Sequence, residues 1–449
     1  MSRHDDDGKR KPKRSPMDFN GYSMESFLVH GLPDDVYWEY GHHVIPPITA
    51  STTFRLDSVE RGHQGFLDFN QPASAARPGE SPIYIYDRVS EPTVALLEQS
   101  MMTAEDGLSG TAFASGMASI AAGLGVCSRS GHHIISHRTV YGCTYSLLKN
   151  WLPRQGIDLD FLDMRDLDAL AATIRAETRV IYFETPANPT LELIDIAAVA
   201  DVIAAANAGR ATDARIRMVV DNTFSTPACQ RPLTFGADIV VESLTKNVMG
   251  FGTDMGGMLV TREEALHPAI RLYRKDYGGV LSPRAAWGIL VYGLPSLQVR
   301  TRAQVSNSFK VSRFLKEHPK VRRVLYPGLE DHPEHALAKR QMTDFRGEPS
   351  FGAMIYFELK GAPEQLAART RTFINYLADN AYTITLAVSL GQLKTLVEAP
   401  GLMTHSSYGE GEATAAGLSS GGVRLSVGIE DAGDIIKDLE RALDEIPGE

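Results

Sequence analysis

The sequence predicts an α/β protein: a mostly parallel sheet with helices on both faces, plus a smaller α+β domain at the C-terminal end. Two observations carry the reading. From about residue 92 to about 260, short apolar runs alternate with amphipathic stretches of helical period, the pattern of βαβ units. After about residue 290 the pattern becomes a long helix, isolated strands and a closing amphipathic helix. A chain of 449 residues also exceeds what one compact core usually serves.

Taken in order, PTVALLEQSMM reads as a helix, and FASGMASIAAGLG as a second helical run. Buried-strand candidates follow at His133–Ser136, Val180–Phe183, Met218–Val220, Ile239–Val241 and Met258–Val260. Between them lie DLDALAATIRA and IDIAAVADVIAAANA, both amphipathic. VSRFLKEHPKVRRVLYPG predicts a helix, a turn and a strand; FGAMIYFEL predicts a strand and DAGDIIKDLERALDEI a final helix. The boundaries expected are a solvated, disordered tail over 1–16 and an irregular arm over 17–88 that wraps a neighbouring subunit. A large domain over 89–290 and a C-terminal domain over 291–449 complete the chain.

Composition narrows the function classes. With 43% hydrophobic and 22% charged residues the chain is that of a soluble enzyme. A formal net charge of −10 argues against nucleic acid as a partner, because phosphate binding needs a surplus of cations. No apolar run is long enough to cross a bilayer, and the basic cluster Lys9–Arg14 has no apolar stretch behind it. Three cysteines, Cys127, Cys143 and Cys229, form neither a zinc pattern nor a disulfide framework, which predicts a reducing cytoplasm.

In an open parallel sheet, ligands bind beyond the carboxyl ends of the strands. The polar residues of interest fall there: Glu184 to Pro189 after VIYF, Asp221-Asn222-Thr223 after MVV, and Ser243-Leu244-Thr245-Lys246 after IVV. A lysine that forms an imine, with a carboxylate that keeps a pyridine nitrogen protonated, suits an electron-sink cofactor. Ser115-Gly116-Met117 opens a helical run, and helix N-termini offer unpaired N–H groups to a phosphate. The hydroxyls of Ser243 and Thr245 complete that cradle. Together these predict pyridoxal 5'-phosphate, carried as a Schiff base on Lys246 with Asp221 at its ring nitrogen.

With these motifs in place, the sequence resembles the Cys/Met-metabolism family of pyridoxal-phosphate enzymes from roughly residue 27 to the end. That family includes cystathionine γ-synthase, the cystathionine lyases, methionine γ-lyase and O-acetylhomoserine sulfhydrylase. The resemblance lies in VIPPITASTTF (44–54), Tyr86-Asp87-Arg88 with Pro92-Thr93, SGM, Tyr141-Gly142-Cys143-Thr144, ETPANP, VVDNTFSTP and SLTK. It continues in VLYPGLEDHPEH, AVSLG, MTHSSY and VRLSVGIED. It implies the type I fold of pyridoxal-phosphate transferases. It also implies that Tyr141 stacks on the ring and acts as general acid, and that Asn188 bonds the cofactor's phenolic oxygen. Tyr86 and Arg88 would reach the phosphate of a neighbouring subunit, making a homodimer the minimum unit and a homotetramer usual. Arg424 and Ser389 would grip the substrate's α-carboxylate. A cation such as Arg88 near Tyr141 would help it cycle between forms at neutral pH.

For the reaction, Cys143 is the local clue, since methionine γ-lyases carry cysteine directly after Tyr-Gly; Lys275-Asp276 is similar to a pair that works with it there. The expectation is γ-elimination from a γ-substituted L-amino acid, with γ-replacement as the alternative. Several positions depart from the family: Glu242 where His is usual before Ser243, Asn247 after the lysine, Phe251, Glu91 before Pro-Thr, and Thr49. Extra carboxylates near the pocket would suit a cationic substrate such as canavanine, a third reading. A dinucleotide site at GFGTDMG is one residue off the GxGxxG spacing, and HPEH (332–335) lacks the HExxH spacing, so no metal is expected.

Overall fold

The computed structural model describes residues 21–31, 43–69, 71, 82–403 and 419–447. The tail expected over 1–16, parts of the arm, and the MTHSSY motif beyond Met403 lie outside the described residues.

Two sheets organise the chain. The first has seven strands in the order β1 (Ser109–Phe113), β7 (Gly257–Thr261), β6 (Ile239–Glu242), β5 (Arg217–Asp221), β4 (Thr178–Glu184), β2 (His133–His137) and β3 (Asp158–Leu162). β7 runs antiparallel to both of its neighbours, and the pairings from β6 through β3 are parallel. Alternation along the strands loads both faces. Ile181, Phe183, Met218, Val220 and Val240 enter one buried cluster, and Val180, Tyr182, Val219, Ile239 and Val241 enter another. A sheet buried on both sides reads as continuous apolar runs, which is why β4, β5 and β6 were visible in the sequence.

β1 and β3 were not anticipated. β1 is SGTAF, fully buried but composed of small residues, so it carries no hydrophobic signal. A side chain at Gly110 would strike Glu98 O at 2.8 Å, so the helix Pro92–Ala104 packs directly on the backbone there. β3 is DLDFL, a partly exposed edge strand whose aspartates mask its alternation.

The second sheet has five strands: β10 (Ile384–Leu386), β11 (Thr395–Glu398), β12 (Gly422–Ser426), β9 (Met354–Leu359) and β8 (Val321–Leu325). One face, with Ile355, Phe357, Val423 and Leu425, packs against the helices Leu294–Glu317, Pro363–Asn380 and Ala432–Asp444. Period-two alternation turns Arg424 and Tyr356 to the other face, where Tyr356 clusters with Met354, Leu390 and Phe224 of the first unit. The loop after β10 closes the junction: Leu393 N donates to Gly250 O at 2.9 Å, and Gly391 (φ 75°) packs its backbone on Asn247. No described helix is long and apolar enough to cross a membrane.

Candidate active site

Three adjacent parallel strands end in carboxylates, and the site is built on them. Glu184 closes β4, Asp221 closes β5 and Glu242 closes β6; Glu184 and Asp221 are register partners. Asp221 and Glu184 share the face of Tyr182 and Val219, which is covered by the helix Gly116–Cys127. Glu242 falls on the opposite face, with Val240.

A cavity of about 250 Å³ opens at these strand ends. Its wall includes Ser115, Gly116, Met117, Tyr141, Asn188, Asp221, Ser243, Thr245, Lys246, Ser389 and Arg424. Lys246 and Asp221 thus face one space, as the sequence reading requires. Tyr86, Arg88 and Cys143 do not line it.

The cradle for an anion follows from the helix start. Ser115 caps Gly116–Cys127 by accepting from Ala118 N at 3.2 Å, and first-turn amides of a helix have no intrahelical acceptor. A Cβ at Gly116 would meet Ser243 Cβ at 2.8 Å, so only glycine lets the helix start approach the Ser243–Lys246 turn this closely. Thr245 Oγ1 is held against Gly256, donating to its carbonyl at 3.2 Å and accepting from its amide at 3.1 Å.

Lys246 Nζ donates to Ser389 Oγ at 2.9 Å. Burial, with Arg424 nearby, pushes the lysine below its ordinary pKa. Ser389 holds φ at 104°, a region that costs a non-glycine residue energy and that recurs at ligand sites. Asp221 accepts from Thr223 N at 2.9 Å and from Tyr182 Oη at 3.4 Å. Burial raises Asp221 above the ordinary carboxylate value while these donors pull it down. A protonated pyridine nitrogen against it would add the cation that such a carboxylate lacks.

Arg424 is buried and fully engaged. It donates to Asn188 Oδ1 at 2.8 Å and to Ser389 O at 3.0 Å, and it pairs with Glu398 at 3.0 Å. Glu398 was missed in the sequence; its cross-strand register with Arg424 exposes it. Glu184 was also given no role. It is buried in the cavity wall and accepts from Tyr141 N at 2.7 Å, which fixes the turn presenting Tyr141. Burial and the Asp221 charge hold its carboxyl well above the usual range.

Tyr141 is 37% exposed, and Cys143 Sγ donates to its Oη at 3.4 Å. Burial and the Cys143 contact raise the phenol above its ordinary value, and Arg424 opposes them. Within one chain the cation acting on Tyr141 is therefore Arg424, and Arg88 instead donates to Lys275 O at 2.9 Å. Lys275 pairs with Asp276 at 3.3 Å, and neither lines the cavity.

The departing carboxylates lie elsewhere. Glu91 caps the helix Pro92–Ala104, accepting from Val94 N at 2.9 Å. Glu242 lies behind the sheet, so the extra carboxylates invoked for a cationic substrate do not reach the pocket wall. GFGTDMG forms the turn after Lys246, with Gly250 and Gly252 at positive φ. His332 accepts from Glu334 N at 3.2 Å as part of a local turn. Among the described residues, no cluster of three or more His, Cys, Asp or Glu is placed to hold a metal.

A half-buried lysine, a strand-end carboxylate and a helix N-terminus around one cavity in this fold fit pyridoxal phosphate: amine, nitrogen partner and phosphate cradle. They define the class as a pyridoxal-phosphate enzyme. Comparison with known proteins agrees. Residues 28–444 match the family described as Cys/Met metabolism PLP-dependent enzyme, and the chain belongs to it. It is 40% identical over 401 residues to an L-methionine gamma-lyase of Fusobacterium nucleatum subsp. polymorphum, covering 89% of this chain and 93% of that one. It is 37% identical over 378 residues to a cystathionine gamma-lyase of Bacillus subtilis (strain 168), covering 84% and 92%. The crystal structure of cystathionine gamma-lyase from Lactobacillus plantarum complexed with L-serine superposes with a TM-score of 0.79 at 34% identity, covering 95% and 99%. The chain is a PLP-dependent enzyme acting on a small amino-acid substrate.

Proposed function

We propose that the chain is a methionine γ-lyase-like enzyme that eliminates the γ-substituent of an L-amino acid, releasing a 2-oxo acid and ammonia. The observation that carries this is the hydrogen bond from Cys143 to Tyr141 at the mouth of the cavity that holds Lys246 and Asp221. It places a thiol against the residue that would protonate the leaving group. The wall nearby is apolar: Val388, Met255, Leu390 and Phe224 contribute, with Met255 61% and Val388 58% exposed. Each carboxylate in the wall already has a partner: Glu184 bonds Tyr141 N, Asp221 bonds Thr223 N, and Glu398 pairs with Arg424. A neutral side chain such as that of methionine suits these surroundings better than a cation does.

When bound, pyridoxal phosphate supplies a ring that stores the charge left as the substrate's α-proton departs. Asp221 would hold the ring nitrogen protonated, and Asn188, Ser115, Gly116, Met117, Ser243 and Thr245 would orient the ring substituents and phosphate. Arg424 and Ser389 bind the α-carboxylate. Lys246 holds the cofactor and then moves the α- and β-protons at Nζ; its lowered pKa keeps more of the amine neutral for that work. Tyr141 Oη gives its proton to the leaving heteroatom.

The phosphate end argues for an oligomer. The cations of the described wall are Lys246 and Arg424, both engaged away from the Ser115–Met117 cradle. A phosphate dianion needs one more, and Tyr86 and Arg88 of a neighbouring subunit would supply it. In this reading the segment 17–88 is the contacting arm, consistent with the exposed Val44, Ile45 and Ile48. The three unpaired cysteines suit a cytoplasmic location.

Mass spectrometry of products from methionine, cystathionine, canavanine and O-acetylhomoserine, with and without added thiol, tests the reaction. Methionine should give a 2-oxo acid and ammonia without added thiol. Products formed only by thiol incorporation would favour a synthase, and turnover of canavanine alone would favour the cationic reading.

A further inference from the structure

Behind the sheet lies a buried polar network that the proposed reaction leaves unused. Asn222, next to Asp221, donates through Nδ2 to Glu105 Oε1 at 2.8 Å, Gln230 O at 2.8 Å and Glu242 Oε1 at 3.2 Å. Gln230 Nε2 donates to Asn222 Oδ1 at 3.0 Å and to Thr185 O at 2.8 Å. Gln341 then donates to Gln230 Oε1 at 3.1 Å and to Ile194 O at 3.0 Å. The network therefore ties together the ends of β4, β5 and β6 and the helix His335–Gln341. Glu105, Glu242, Asn222, Gln230 and Gln341 are all at least 98% buried.

The two acids confront each other. The second oxygens of Glu105 and of Glu242 are buried and accept from no donor, yet both carboxyl groups converge on the one Asn222 amide, which brings the two acids side by side. Two carboxylates have only acceptors, so the two can bond each other only when one of them carries a proton. The surrounding charges agree. The charge of Asp221 acts on Glu242 through the sheet from β5, and Asp106 lies beside Glu105 but pairs with Arg262. Arg231 is the cation acting on Glu105, enough to balance one charge of the pair and not two.

We propose that Glu105 and Glu242 share a single proton and that this pair, through Asn222, is a positioning element fixing the strand ends that carry Asp221 and Lys246. Asn222 is covalently next to Asp221, and Glu242 stands immediately before the Ser243–Lys246 turn. The role rests on the reading that Asp221 and Lys246 hold the cofactor; the shared proton does not. Burial raises both acids above their ordinary value, the direction that favours keeping a proton between them. A group whose folded pKa is raised gives stability that is full below its unfolded value of about 4.3 and is lost as pH rises through the folded value.

The test uses the holoenzyme of wild type, Glu242→Gln and Glu242→Ala. Glutamine has the same shape, donates to Glu105 and does not titrate. The wild-type minus E242Q infrared spectrum at pH 7 should contain the carbonyl band of a protonated carboxylic acid. The Tm of E242Q should gain on wild type as pH rises from 5 to 9. Cofactor release, followed by its visible absorption, should match wild type in E242Q. In E242A it should be faster by about tenfold or more, the scale of one lost buried hydrogen bond to a charged group. Absence of the band together with a pH-independent Tm difference overturns the shared proton, and wild-type release from E242A overturns the positioning role. A wild-type chain that takes up no cofactor would refute the cofactor reading and the positioning role together. The infrared and melting results would still decide the pair.

Discussion

Arg424 and Glu398 oppose each other across β12 and β11, with Nη2 and Oε1 3.0 Å apart, and both side chains are almost fully buried. The guanidinium proposed to receive a substrate carboxylate is therefore already balanced, and its fork is spread among Glu398, Asn188 and the Ser389 carbonyl. This arrangement makes the site demanding in geometry. A lysine at position 424 would place one point charge near Glu398 and lose the other contacts. Arg424→Lys should raise KM about ten- to a hundredfold, equivalent to a charge-assisted hydrogen bond of roughly 1.5–3 kcal/mol. Steady-state kinetics decides; an unchanged KM would remove Arg424 from substrate binding.

Tyr141 follows a different logic. Because burial and Cys143 hold its phenol above the ordinary value, it stays protonated across neutral and mildly alkaline pH, the state a general acid requires. Tyr141→Phe should lower kcat by about 10²–10⁴-fold, the usual weight of general acid–base catalysis. The alkaline limb of the kcat profile below pH 9 should survive in residual Y141F activity, since it does not report this phenol. Loss of that limb in Y141F would assign it to Tyr141 and contradict the raised pKa.

Glu91 offers a stability test away from the chemistry. It is the N-cap of the helix Pro92–Ala104, and burial pushes its pKa up to about 7. Against an unfolded value of about 4.3, its protonated form is favoured by folding. That stability is full below the unfolded value and disappears as pH rises through 7. Glu91→Gln keeps an oxygen for Val94 N without titrating, so its Tm should gain on wild type between pH 5 and 8. A melting series showing a constant difference over that range would mean that Glu91 ionises without cost.

How far the sequence reveals this site follows from the range of each interaction. Asp221, Lys246 and the Ser115–Met117 helix start are local features, written in a strand end or a cap, and the structure gathers all of them into one cavity. The partners that tune them are distant in sequence. Glu398 meets Arg424 only through the pairing of β11 with β12, and Glu105 meets Glu242 only because the helix Pro92–Ala104 ends behind β6. Ser389 joins Lys246 through a positive φ that no residue pattern announces. β1 stayed hidden for a related reason: its small side chains are dictated by a close helix, not by hydrophobic contrast.

The remaining prediction concerns Arg88, whose guanidinium in a single chain donates to Lys275 O and sits 5.5 Å from the Tyr86 ring centroid. Neither contact balances its charge with an anion, and the Ser115–Met117 cradle offers only neutral donors to a phosphate. If Arg88 serves a neighbouring subunit, Arg88→Ala and Lys246→Ala damage different active sites of one dimer. Each variant alone should be nearly inactive: the first for want of cofactor affinity, the second for want of the amine. Subunits of the two, unfolded and refolded together, should regain activity, because one site of each mixed dimer then takes Lys246 from the R88A chain and Arg88 from the K246A chain. Co-refolding followed by assay at a pyridoxal phosphate concentration that saturates wild type but leaves R88A empty is the measurement. Activity that never exceeds the sum of the separate variants would confine Arg88 to its own chain.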